Sequence, residues 1–128
     1  VRVGFVGVGN MGGAMAANLL AAGHAVSVCD PSADAVRPLV ERGAWVGSTP
    51  ADAAAGADVV SIVVMSGAQV EAVTTGPDGV LAGAPNGAVV AVHSTVHPRS
   101  VHAVADAAPH GVHVLDAPIS GGVQGARA

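Results

Sequence analysis

A chain of 128 residues, 51% of them apolar, has the size of one domain with a real core, and with one Phe, one Trp and no Tyr that core has to be built from Ala, Val and Leu. The net charge of −4 and the lack of any basic cluster argue against nucleic acid and anionic membrane surfaces as partners. A single cysteine, Cys29, excludes an internal disulfide and a cysteine-rich metal site, and no apolar run approaches the length of a transmembrane helix.

The chain opens on an apolar run, residues 3–8, broken by glycines. No signal peptide is therefore expected, and a cytoplasmic location is the default expectation. The missing initiator methionine points to a short piece absent upstream. Gly7, Gly9 and Gly12 stand in the spacing G-x-G-x-x-G. Residues 14–22 follow with a helical pattern, and a second apolar run, residues 25–29, ends on Asp30. Each part has a job if the ligand is a dinucleotide. Gly7 allows a sharp turn off the strand, Gly9 lets backbone approach a pyrophosphate, and Gly12 lets helix and strand pack closely. The helix N-terminus offers unpaired N–H groups to the phosphates. Asp30 can accept hydrogen bonds from the adenosine ribose. Cys29, on a buried strand, reads as a small hydrophobe.

The strand–helix rhythm continues. Pro31-Ser32 opens a helix over residues 33–42, which Gly43 ends. Residues 44–46 make a short third strand whose one bulky residue is Trp45. Thr49-Pro50 reads as an N-cap with proline at the first helical position, and a short helix runs over residues 50–55. Residues 58–65 (DVVSIVVM) form the longest β-branched run and predict a central strand covered on both faces. A weak helix is expected over 68–74, a loop with one helical turn over 76–87, a fifth strand over 88–92, a helix over 98–108 and a sixth strand over 112–116. Residues 117–128 carry no core pattern.

Alternating strands and helices predict an α/β fold of the Rossmann type: one domain over residues 1–128, a doubly wound parallel sheet between two helical layers, in the order 3-2-1-4-5-6. A ligand should then lie at the carboxyl ends of strands 1 and 4, where the order reverses. The loops at that edge carry residues 9–12, Asp30, residues 66–69, Ser94-Thr95 and residues 120–122.

Four stretches of the sequence together resemble a known family. Residues 4–30, GFVGVGNMGGAMAANLLAAGHAVSVCD, are similar to the N-terminal signature of the β-hydroxyacid dehydrogenases, the group of 3-hydroxyisobutyrate dehydrogenase and tartronate semialdehyde reductase. Residues 76–81 (GPDGVL) resemble a loop of that family. Ser94-Thr95 with Pro98 resembles its S-T-x-x-P element. Residues 116–122 (DAPISGG) with Gly125-Ala126 resemble its substrate signature D-A-P-V-S-G-G-x-x-G-A. The resemblance runs the length of the chain.

The resemblance implies a nicotinamide cofactor and a small-molecule carboxylate substrate. It places Gly9, Asn10 and Met11 against the pyrophosphate, in the cofactor-binding turn that Gly7 and Gly12 shape, with Asp30 at the ribose and Thr95 near the nicotinamide. It gives Ser120, Gly121 and Gly122 the substrate carboxylate, which suits a hydroxyl followed by successive backbone N–H groups. NAD is expected over NADP, because Asp30 would repel a 2′-phosphate and Pro31-Ser32 supplies no cation.

Three features depart from the family. Its M-L-P after the fourth strand is replaced by Val63-Val64-Met65. His93 precedes Ser94, and Val92 stands where an acid is common. The family's catalytic lysine, on a long helix past the glycine turn, has no counterpart: the chain contains no lysine. No catalytic residue is thus assigned in this chain, and no metal site, since His102, His110 and His113 lack ligand spacing. His93 and His97 lie near Ser94-Thr95 without a carboxylate at fixed spacing. The resemblance implies a cofactor domain incomplete at its C-terminal end, without the family's helical second domain, which would make most subunit contacts of any homo-oligomer. The expected function is that domain's part in hydride transfer to or from a small 3-hydroxy acid. The alternatives are a non-catalytic dinucleotide-binding module and an imine reductase of the same superfamily, the latter disfavoured by a signature suited to a carboxylate.

Overall fold

The computed structural model describes residues 1–127. Six strands form one sheet in the order β3-β2-β1-β4-β5-β6, every neighbouring pair parallel. The strands are β1 (Arg2–Val6), β2 (Ala25–Cys29), β3 (Trp45–Val46), β4 (Val59–Ile62), β5 (Val89–Val92) and β6 (His113–Asp116). The helices are α1 (Asn10–Ala21), α2 (Ala33–Glu41), α3 (Pro50–Ala54), α4 (Gly67–Thr74), α5 (Val80–Gly83), α6 (Pro98–Ala107) and α7 (Gly122–Arg127). This is the doubly wound order expected from the sequence. Its reversal lies between β1 and β4, whose loops part to opposite sides.

Strand periodicity divides the core in two. Val3, Phe5, Val26 and Val28 face α1 and α2, where Ala16, Val36 and Leu39 meet them. Val6, Val60, Ile62, Val90 and Val92 face the other layer, against Ala53, Ala54, Val70 and Val104. Small side chains bring the layers close: a Cβ at Gly4 would run into the carbonyl of Ala53 on α3. Helix starts are fixed by side chains, of which Ser32 and Thr49 were read from the sequence. Ser32 Oγ accepts from Ala35 N, Thr49 and Asp52 form a capping box, and Ser66 Oγ accepts from Gln69 N.

Three elements differ from expectation. Helix α1 begins at Asn10 rather than at residue 14, because the close packing of Gly12 outweighs the poor helix propensity of Gly12 and Gly13. Strand β4 ends at Ile62 instead of running to residue 65. Side chains capture the next amides there: Ser94 Oγ accepts from Val64 N at 2.9 Å and Gln69 Oε1 from Met65 N at 2.7 Å, so the ladder stops. Strand β3 is the edge that the expected order makes it, and its Trp45 is exposed. Finally, residues 122–127 form α7, which lies on α1 through a hydrogen bond from Asn18 Nδ2 to the Ala126 carbonyl, 2.8 Å.

Candidate functional site

The carboxyl edge of the sheet is opened by three glycines with different tasks. Gly7 has φ +91°, and a Cβ there would strike the Val63 carbonyl on the neighbouring strand. Gly12 sits in the first turn of α1, where a Cβ would strike the carbonyl of Gly7. Both glycines are demanded by the protein's own packing. Gly9 is not: a Cβ on it would meet no protein atom within 4 Å. Its bare backbone faces open space at the mouth of the crevice, which fits a dinucleotide whose pyrophosphate needs that space.

Helix α1 points its N-terminus at the same place. The first intrahelical bond there is Gly13 N to Gly9 O, 2.8 Å, so the amides of residues 10–12 precede it and stay available. Unlike α2, α3 and α4, this helix has no side-chain cap, and unlike α2 and α3 it has no acid in its first turn. Its N-terminal dipole can receive an anion.

Asp30 stands across the crevice at the end of β2. Its Oδ2 accepts from Val8 N at 2.9 Å and its Oδ1 from Ser32 N at 2.8 Å. The carboxylate is thereby fixed between the glycine loop and the start of α2, and each oxygen retains a free lone pair for a ribose hydroxyl. The sequence placed Asp30 at the end of the second strand, where it lies, but gave no sign that it also ties down the loop. Beside it, Cys29 is half-buried and its thiol is pushed above its ordinary value of 9.0, first by burial and then by the charges of Asp30 and Asp52. Both effects favour the thiol over the thiolate.

The crevice has two compartments that share Gly9, Val63, Val64 and Met65. The larger, about 660 Å³, extends past Gly7, Asp30, Pro31 and Pro50 to Gln69 and Val73. The smaller, about 340 Å³, extends past Asn10, Met11, Gly12 and Thr95 to Ile119 and Val123. Gly7, Gly9, Asn10, Met11, Gly12, Asp30 and Thr95 thus all line one continuous crevice across the reversal point. Ser94, which is buried, joins its β4 and β5 sides through its bond to Val64 N. Thr95, next to it, is exposed.

Ser120, Gly121 and Gly122 are also exposed. Gly121 and Gly122 both have positive φ, +89° and +58°, and turn the chain into α7. Ile119 and Val123 on either side line the smaller compartment, but Ser120, Gly121 and Gly122 stand outside its walls.

The two histidines are occupied locally. His93 Nδ1 bonds the Ala117 carbonyl at 2.8 Å and Nε2 the Ser61 hydroxyl at 3.2 Å. His97 caps α6, its Nδ1 accepting from Arg99 N at 3.1 Å. Among the described residues no three His, Cys, Asp or Glu side chains are grouped as a metal site, and no helix is long and apolar enough to cross a membrane.

Residues 2–128 match the family model of the NAD binding domain of 6-phosphogluconate dehydrogenase. A 3-hydroxyisobutyrate dehydrogenase of Pseudomonas aeruginosa is 46% identical over 127 residues, covering 98% of this chain and 43% of that protein. The structure of Mycobacterium tuberculosis 3-hydroxyisobutyrate dehydrogenase with L-serine superposes with a TM-score of 0.88 at 38% identity, over 98% of this chain and 43% of that one. Psf3 in complex with NADP+ and 2-OPP also has a TM-score of 0.88, at 30% identity over 98% of this chain and 45% of that one. The chain therefore spans less than half the length of the relatives it matches.

Proposed function

The chain belongs to the family of NAD-binding domains of 6-phosphogluconate dehydrogenase type, and on that premise we propose that it is the cofactor domain of an NAD-dependent dehydrogenase of small 3-hydroxy acids, such as 3-hydroxyisobutyrate. The observation that carries the cofactor reading is Gly9, whose missing side chain serves no packing within the protein. The substrate reading rests on residues 116–122 and on similarity to dehydrogenases named for 3-hydroxyisobutyrate.

Hydride acceptance and return are the chemistry that NAD supplies when bound. This chain's part is to bind and orient. The amides of residues 10–12 and the backbone of Gly9 hold the pyrophosphate, with Gly7 and Gly12 shaping that loop. Asp30 accepts from the adenosine ribose, and Thr95 positions the nicotinamide. Ser120 and the amides of Gly121 and Gly122 hold the substrate carboxylate. The hydroxyl proton goes to a lysine on a following helical domain, as in the family the chain resembles.

NAD is preferred over NADP in this reading. One structural neighbour carries NADP+, so the preference is argued from this chain alone. Both Asp30 oxygens already face backbone donors, so the carboxylate is held in place where a 2′-phosphate would arrive. Ser32 Oγ is engaged by Ala35 N.

Calorimetric titration with both cofactors tests the proposal: NAD binds more tightly, and equal or tighter NADP binding refutes the preference. This chain by itself turns over no hydroxy acid, because general acid–base assistance worth about 10²–10⁴ in rate is missing with the lysine. NADH formation by the 128-residue chain with short 3-hydroxy acids would place the base within it.

A further inference from the structure

We propose that His93 is a positioning residue for the substrate turn: it anchors Ala117, the point at which the chain leaves the sheet towards residues 120–122. The proposal rests on the substrate reading above for its consequence in catalysis, but the anchor itself is geometric.

His93 follows β5 and continues its ladder by one step, its backbone N–H donating to the Ile62 carbonyl at 2.9 Å. Ala117 follows β6 in the same way, its N–H donating to the Val92 carbonyl at 2.9 Å. The imidazole then holds the same residue through the next peptide, with Nδ1 on the Ala117 carbonyl. A carbonyl only accepts, so in the neutral ring the proton sits on Nδ1. Nε2 is left with its lone pair to accept from the Ser61 hydroxyl. Ser61 is 4% exposed, in the middle of β4 between Phe5 and Ala91, and His93 is the partner of its hydroxyl. The ring is thus fixed from the centre of the sheet outward.

The anchor matters because β6 is weakly held. It pairs with β5 on one edge, and none of its four residues is buried. Beyond Ala117 the chain goes through Pro118 and Ile119 into the turn. The same His93 lines the smaller compartment with Thr95 and Ile119, so the residue that orients the turn stands in the wall where substrate would meet cofactor.

Three substitutions separate the two ring nitrogens. An asparagine amide can stand where Nδ1 does, so His93→Asn keeps the Ala117 bond and loses the Ser61 bond. A glutamine amide reaches the position of Nε2, so His93→Gln keeps Ser61 and loses Ala117. His93→Leu loses both. Amide exchange followed by NMR on this chain reads the anchor directly at Ala117 and Gly125, whose N–H groups bond Val92 and Gly121. His93→Gln and His93→Leu should speed exchange there by about three- to tenfold, the worth of one net hydrogen bond, with β1 unchanged and His93→Asn close to wild type. In the longer enzyme, His93→Gln should raise KM for 3-hydroxyisobutyrate by the same factor while kcat and NADH affinity hold.

Exchange at Ala117 that is the same in wild type and His93→Gln overturns the proposal. So does a fall in kcat of about 10² or more in all three variants at constant KM, which would make His93 an acid–base group. A wild-type enzyme inactive on 3-hydroxy acids would overturn the substrate reading instead, and the exchange rates would still decide the anchor.

Discussion

Strands β1 and β6 belong to the same parallel sheet and each leads into a glycine turn, yet they are held in opposite ways. Four of the five residues of β1 are buried, and it pairs with β2 on one side and β4 on the other. Strand β6 has one neighbour and no buried residue, and Leu115 is 52% exposed. After β1, the turn is shaped by packing so tight that Gly7 and Gly12 admit no Cβ. After β6, a Cβ on Gly122 would meet nothing, and the turn depends on hydrogen bonds at Ala117 and on α7. The turn after β1 is built by close packing and the turn after β6 by backbone conformation and a few directed bonds. Core mutations should therefore be costly at one end and mild at the other.

The largest contrast should come from truncating side chains on the two parts of the sheet. Ile62→Ala, at a fully buried side chain of β4 beside β1, should cost about 2–5 kcal/mol of unfolding free energy. Leu115→Ala on β6 should stay within about 1 kcal/mol, as for a half-exposed side chain. Comparable costs in urea denaturation would remove the distinction between the two ends.

Gly7→Ala comes next. The new Cβ meets both a positive φ and the Val63 carbonyl, and overpacking with backbone strain should cost about 2–4 kcal/mol. The same change at Gly122 has strain but no clash, and its cost should be about half as large or less. Thermal unfolding of the two variants side by side checks this.

Asp30→Ala sharpens the comparison from the side of hydrogen bonding. It removes the acceptor of Val8 N and Ser32 N, for a cost of about 1–3 kcal/mol. It should also weaken NAD binding and narrow the gap to NADP. If stability falls while the ratio of NAD to NADP affinity stays the same, Asp30 holds the loop but does not select the cofactor.

The same difference explains what the sequence made legible. The path from β1 to Asp30 is encoded by local spacing, and the fold class and strand order follow from the repeated strand–helix pattern. The glycines of the turn after β1 were also legible, from their G-x-G-x-x-G spacing between a strand and a helix. Contacts between distant residues were not. Asp30 with Val8, Ser94 with Val64 and His93 with Ser61 and Ala117 join residues 22–32 apart in sequence. No period or motif announces them. The Ser94–Val64 bond helps end β4 early, and the Ser61 and Ala117 bonds give His93 partners other than a carboxylate. Helix α7 was missed because its six residues bury nothing and so leave no apolar pattern.

The central claim is that the crevice beside Gly9 receives a dinucleotide, and Gly9→Ala tests it most directly. The added methyl touches no protein atom, so unfolding free energy should change by less than about 1 kcal/mol. Titration with NADH, followed by fluorescence, should show saturable binding to the wild-type chain and affinity lower by about tenfold or more in Gly9→Ala, since the methyl then crowds the pyrophosphate. No saturable binding to the wild type, or equal affinity in the two proteins, would contradict the account.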